Sequence, residues 1–153
     1  MAADAWKRYN KFPEYLGDGT MDMDGDSFLC ALFLSTSNCA TLTHDEYGDL
    51  DNEHANGNGY TTGGWPMTSV TWVESSGTIT FDSADPNWTA ASGSIVARFA
   101  VIYDTTPAAT PTDPLVCYSL LDNSPADVTV TDGNTLTIQL NASGILTISG
   151  GQS

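Results

Sequence analysis

Short apolar and β-branched runs, each closed by a cluster of Gly, Pro, Asn, Asp or Ser, recur along most of this chain. That punctuation restricts the fold more than any other feature. Residues 70–73 and 78–81 flank Glu74-Ser75-Ser76-Gly77, which is a hairpin pattern. Residues 28–34 form a continuous apolar run between acids and a Ser/Thr/Asn segment, as a buried strand would. From Ser94 to Asp104 the side chains alternate: Ile95, Ala97, Phe99, Val101 and Tyr103 share one face, and Val96, Arg98, Ala100 and Ile102 the other. Both faces are largely apolar, so the segment is expected as a central strand in which Arg98 needs a carboxylate partner or a route to solvent. The stretch 105–114 carries Pro107, Pro111 and Pro114 and cannot sustain ladder pairing. Further strands are expected within 115–121, 128–130, 136–140 and 145–148, with turns at 122–125, 132–134 and 141–144. Turns about every 8–12 residues with short strands between them indicate an all-β fold. The expected architecture is a single antiparallel β-sandwich, jelly-roll or Ig-like, with an N-terminal arm and at most one short helix. Thr43 and Glu46 match a capping box, so the helix is expected within 43–50. The Gly/Asn-rich residues 55–64 are expected as a long ordered loop on one edge.

A chain of 153 residues suits one domain, read here as an arm over 1–20 and a sandwich over 21–150. At 41% hydrophobic and 10% aromatic it is too apolar for a disordered acidic tail. Cys30, Cys39 and Cys117 are odd in number and irregularly spaced, which suits reduced thiols in a protein made in a cytoplasm. The first twelve residues lack the apolar stretch of a secretory signal. The longest apolar run, 28–34, is far short of the roughly 20 residues that span a bilayer.

Charge is distributed unevenly. The chain has 4 Lys and Arg against 19 Asp and Glu, a net −15. Lys7, Arg8 and Lys11 face only Asp4 in the first eleven residues, whereas Arg98 is the sole base among the rest. Nucleic acid and anionic membranes are therefore not expected as partners, because both demand clustered Lys and Arg. The basic, aromatic leader is expected to dock on an acidic neighbour, which a second copy of the same body would satisfy. Trp6, Tyr9 and Phe12 would supply contact area while Lys7, Arg8 and Lys11 steer. The plainer alternative is a first strand or turn that merely carries these residues.

No chemistry-bearing constellation survives inspection. Counting an EF-hand loop from Asp22 through Asp24 and Asp26 puts Ser27 where glycine is required and Phe33 where a bidentate glutamate is required. Carboxylates alternating on a strand would point to one face, where they could share an adventitious cation; the plainer and favoured alternative is a solvated acidic edge that discourages edge-to-edge pairing. Gly25-Asp26-Ser27-Phe28 and Asp51-x-x-His54 resemble the two blocks of GDSL-type hydrolases, but that family spaces them far apart in an α/β fold. His44 and His54 lack zinc-site spacing. The 56–64 glycines fit neither a P-loop nor G-x-G-x-x-G. Trp65, Trp72, Trp88, Tyr47 and Tyr60 would suit a sugar-binding face, though packing is their commoner role. No catalytic residue, cofactor site or metal ligand is assigned.

The order of several blocks resembles a family of small tailed-bacteriophage virion proteins. They are Asp22-x-Asp24-x-Asp26-x-Phe28-x-x-Ala31-Leu32-Phe33, Glu53-x-Ala55-x-Gly57-x-Gly59-Tyr60-x-x-Gly63-Gly64 and Val70-Thr71-Trp72. Phe81-Asp82-x-x-Asp85-x-x-Trp88-x-Ala90, Ala97-Arg98-x-Ala100-Val101-Ile102-Tyr103-Asp104 and the stretch from Pro125 to Ile148 complete the set, which covers nearly the whole chain. The resemblance implies a β-rich particle component made in the bacterial host cytoplasm and resident in the virion, and carries over no catalytic residue. The expectation is a capsid decoration (cement) protein, a homo-oligomer such as a trimer, contacting other virion proteins and the major capsid protein first. A neck or tail component, collar or fibre, is the nearest alternative. A carbohydrate-binding module for host attachment is the alternative of another class.

Overall fold

Residues 3–124 and 126–150 are described by the computed structural model, in which each expected strand segment contains a strand and three short ones, at 7–8, 65–66 and 87–89, are additional. In chain order the elements are β1 (Lys7–Arg8), helix α1 (Phe12–Asp18), β2 (Phe28–Phe33), a 3-10 turn (Tyr47–Asp49), β3 (Trp65–Pro66), β4 (Thr71–Ser75) and β5 (Thr78–Asp82). They continue with β6 (Asn87–Thr89), β7 (Ile95–Ala97), β8 (Phe99–Asp104), β9 (Leu115–Leu120), β10 (Val128–Val130), β11 (Thr135–Thr137) and β12 (Leu146–Ser149). The fold is all-β with one short α-helix, and every strand pairing is antiparallel.

The principal sheet has five strands in the order β1-β9-β8-β2-β3. A three-stranded sheet, β12-β5-β4, and two ribbons, β10-β7 and β11-β6, complete the structure. Both faces of the principal sheet are buried, which is why β2 and β8 read as unbroken apolar runs. Phe28, Cys30, Leu32, Ala100 and Ile102 share a core with Phe81, Trp88, Ile95, Leu136 and Leu146 from the smaller sheets. On the opposite face Ala31, Phe33, Val101, Tyr103 and Leu115 pack with Tyr9 and Cys39. Register slips between Ile102 and Tyr103 where β8 meets β9, so Val116 bulges and joins Cys117 in the first core. All three cysteines are buried and free.

The hairpin expected over 70–81 forms with a two-residue turn. Ser76 (φ 52) and Gly77 (φ 82) both adopt the left-handed region, as a type I′ connection requires. The alternating segment 94–104 is a central strand only from Phe99 onward. At Arg98 the chain changes partners: its N–H donates to Phe33 O (2.7 Å), its carbonyl accepts from Leu121 N (2.9 Å), and β7 pairs away with β10. The guanidinium finds main-chain carbonyls in place of a carboxylate, donating to Ser124 O (2.7 Å) and Ala126 O.

Two expectations about the first fifty residues are corrected. The α-helix lies at Phe12–Asp18, with Pro13 in its first turn and Gly19 (φ 80) as a left-handed cap. Residues 43–50 contribute only the 3-10 turn, closed by Glu46 and Asp49 in a reciprocal capping box one turn later than anticipated. Residues 3–20 are not a separable arm. Asp4 N donates to Leu120 O (2.9 Å), Lys7 and Arg8 pair with Tyr118 and Cys117, and Phe12 is fully buried. The plainer alternative, a first strand bearing basic residues, is what the structure contains; Met1 and Ala2 lie outside the described residues. No helix of the described residues is long and apolar enough to cross a membrane.

Candidate interaction face and buried polar clusters

β1, an edge strand of the principal sheet, is only two residues long with both side chains exposed, so packing of the residues around it decides which leader residues face outward. Lys7, Arg8 and Lys11 are exposed and Trp6 is half-buried against the core. Tyr9 and Phe12 point inward, 1% and 0% exposed, so neither supplies the contact surface expected of it. The Tyr9 hydroxyl donates to Cys39 O (2.5 Å), which satisfies its one polar group in the interior. Lys7 Nζ sits 3.8 Å from Asp4 and 5.9 Å above the Tyr118 ring. Lys11 bonds Glu14 at 2.8 Å, and that hydrogen bond raises its pKa. Among the described residues Arg8 forms no ion pair. A groove of about 630 Å³ opens beside this edge, lined by Trp6, Arg8, Ser119, Ile138, Leu146 and Thr147 among others. Such exposed pairs are weak internally, which leaves the cations free to meet an outside anion.

At one end of β2 lies a polar cluster that sequence reasoning missed. Glu53 opposes Phe33 through a bridge, and its Oε1 accepts from Tyr60 Oη (2.5 Å) and Gly63 N (2.7 Å) while Oε2 accepts from Tyr47 Oη. Tyr60 Oη also accepts from Leu32 N (3.0 Å), and Tyr103 Oη donates to Gly63 O (2.9 Å). The Tyr47 and Tyr103 rings stack at 4.3 Å. Burial, reinforced by the Glu53 charge, pushes the Tyr47 and Tyr60 hydroxyls up, so they remain donors at neutral pH. The 55–64 loop can lie this close because of its glycines. A Cβ on Gly64 (φ 97) would stand 2.0 Å from Cys30 O, and one on Gly59 (φ 89) 2.0 Å from Thr89 O. A glutamate beside a Gly- and Tyr-rich loop was the available signal.

The hydrolase-like blocks do not meet. Ser27 precedes β2, whereas His54 N donates to Leu32 O (2.8 Å) near the other end, about 16 Å away at roughly 3.3 Å per residue. Burial lowers the His54 pKa and its ring packs edge-on to Tyr60 at 5.2 Å, with Nε2 unpartnered. Trp88 and Tyr60 are buried and Tyr47 is stacked, leaving Trp65 and Trp72 half-exposed; Trp65 meets Trp88 beside a cavity of about 310 Å³. Among the described residues no three His, Cys, Asp or Glu side chains converge to hold a metal.

At the other end of β2, Asp22, Asp24 and Asp26 occupy a tight turn and not a strand, which corrects the expected acidic strand edge. Gly25 N and Asp26 N donate to Asp22 O (3.2 and 2.8 Å), and Asp22 N donates to Asp26 Oδ2 (2.7 Å). The interleaved Met21 and Met23 are buried in the core. Phe28 pairs with Asp104, whose side chain is fully buried. One Asp104 oxygen accepts from Thr106 N (2.8 Å); the other, Oδ2, has no donor. Burial, with the adjoining Asp26 carboxyl adding to it, pushes Asp104 up to about 7. Comparison of the chain with known protein families, curated proteins and solved structures finds no match.

Proposed function

We propose that this chain is a tailed-bacteriophage virion structural protein, acting as a capsid decoration protein that binds the shell through buried interface. The observation that carries the reading is where the resemblance blocks fall. Ala31, Phe33, Tyr60, Phe81, Trp88, Ala90, Ala97 and Ala100 are core, and Gly59 and Gly64 are close backbone approaches. The shared pattern is thus a framework, which suits a protein that works by shape.

The contact surface on this reading is the β1 edge: Trp6, Lys7, Arg8 and Lys11, set on an otherwise acidic body. Tyr9 and Phe12 hold that edge in place from inside. Cations there would steer the edge to an acidic patch on the shell or on a neighbouring copy, and repetition over a symmetric particle multiplies a modest contact. Deleting residues 1–12 is a poor test, because it removes two core side chains. The double charge reversal Lys7→Glu/Arg8→Glu is the sharper one. Co-sedimentation with shells stripped of this chain is expected to fall at least tenfold while the circular dichroism spectrum is unchanged; undiminished binding would sink the reading. A particle map separates the shell from the neck or tail, since decoration requires copies following the shell lattice. The half-exposed Trp65 beside Trp88 favours one other reading, carbohydrate binding. Tryptophan quenching by host-wall glycans, abolished in Trp65→Ala, would support it.

A further inference from the structure

Among the described residues two buried side-chain polar atoms lack a partner, His54 Nε2 and Asp104 Oδ2. The first belongs to an imidazole kept neutral by burial. The second belongs to an acid, and a buried carboxylate oxygen with no donor requires a proton or a cation. The surroundings supply no base. Arg98 is tied to the 124 and 126 carbonyls, and Lys7, Arg8 and Lys11 lie along the leader. What the fold brings instead is more negative charge. Thr105 N donates to Ser27 O (2.8 Å) and Ser27 N donates to Thr106 Oγ1 (2.8 Å), which clamps the 22–26 turn against the end of β8. Because Phe28 pairs with Asp104 and Ser27 is bonded to Thr105 and Thr106, the preceding residue, Asp26, is set beside Asp104, and its carboxyl adds to the burial that pushes Asp104 up.

We propose that Asp104 and Asp26 together bind a hard divalent cation, calcium in particular. The argument is from the donor set. Both side chains offer oxygen only, and no histidine or cysteine joins them, so zinc and the softer metals are disfavoured. Calcium accepts six to eight oxygens in loose geometry, so two carboxylates completed by water suffice, whereas magnesium demands a stricter octahedron. Two carboxylate ligands predict weak binding, on the order of 10⁻⁴–10⁻³ M, as in extracellular modules. The acidic body raises the local cation concentration and favours occupancy. The linear motif Asp22-x-Asp24-x-Asp26 fails as an EF-hand; only one of its three acids, together with one from a distant strand, makes this site.

The competing occupant is a proton shared between the two acids, so the test is run on the full chain at pH 8. Thermal unfolding is followed in EDTA and in a series of calcium chloride concentrations. The wild type is expected to gain Tm progressively through the millimolar range. Asp104→Asn is expected to lose that response and, having shed a like-charge contact, to melt higher than wild type in EDTA. Asp24→Asn, which alters an exposed acid of the same turn, keeps the response. Should Asp104→Asn fail to fold, Asp26→Asn gives the same reading from the less buried partner. A wild-type Tm identical in EDTA and calcium overturns the proposal in favour of the shared proton. A calcium response that persists in Asp26→Asn overturns it in favour of diffuse surface binding.

Discussion

The two ends of β2 each hold a carboxylate, and the two are treated in opposite ways. Glu53, bridged to Phe33, receives three hydrogen bonds from Tyr47, Tyr60 and Gly63. Asp104, paired with Phe28, receives one from Thr106 and faces another acid. The difference teaches what a carboxylate needs once it is withdrawn from water, partly as at Glu53 or wholly as at Asp104. Surrounded by donors it becomes a fastener for loops; opposed by a like charge it becomes a site that waits for a cation.

The largest expected effect comes from dismantling the satisfied end. Glu53→Ala strands two tyrosine hydroxyls and an N–H at once, and should cost about 3–5 kcal/mol in denaturant unfolding. Gly64→Ala attacks the same end through the backbone. With a Cβ driven to 2.0 Å of Cys30 O at φ 97, the loop that brings Tyr60 and Gly63 to Glu53 must shift, and a loss of about 2–4 kcal/mol is expected by the same measurement. At the other end the sign reverses: Asp104→Asn should stabilise the calcium-free protein at pH 8 by about 1–2 kcal/mol. A loss of that size instead would erase the contrast.

A pH series sharpens the comparison further. The folded pKa of Asp104 is raised to about 7 from an ordinary 3.8, so the folded state binds more protons between those values. Wild-type stability in EDTA should therefore fall as pH climbs through that window and level off above it, whereas Asp104→Asn should lack this component. The smallest effect belongs to neither end. Lys7→Ala and Arg8→Ala at the exposed β1 edge should change stability by less than about 0.5 kcal/mol in denaturant unfolding.

Much of the fold was legible because it is local. The Ser76-Gly77 turn, the buried runs of β2 and β9 and the break at the three prolines each follow from residues adjacent in sequence. The leader departs from the expected arm for a physical reason. Tyr9 and Phe12 show no obvious period beside three bases, so composition spoke for an arm while burial of two aromatics outweighed it. The helix departs likewise: Thr43 and Glu46 offer a cap, but only packing of Phe12 and Tyr15 on the core sustains so short a helix. Of the six leader residues, four reach the surface, and packing of Tyr9 and Phe12 into the two cores sorted them.

By itself, then, the sequence determined the class of element and the positions of the turns, since backbone preference and side-chain period are properties of neighbours. Only the tertiary structure decided which polar groups meet. Asp26 reaches Asp104, and Glu53 reaches its tyrosines, through strand order and register. Those are set by how the apolar faces close on one another, and no short window of residues encodes that closure.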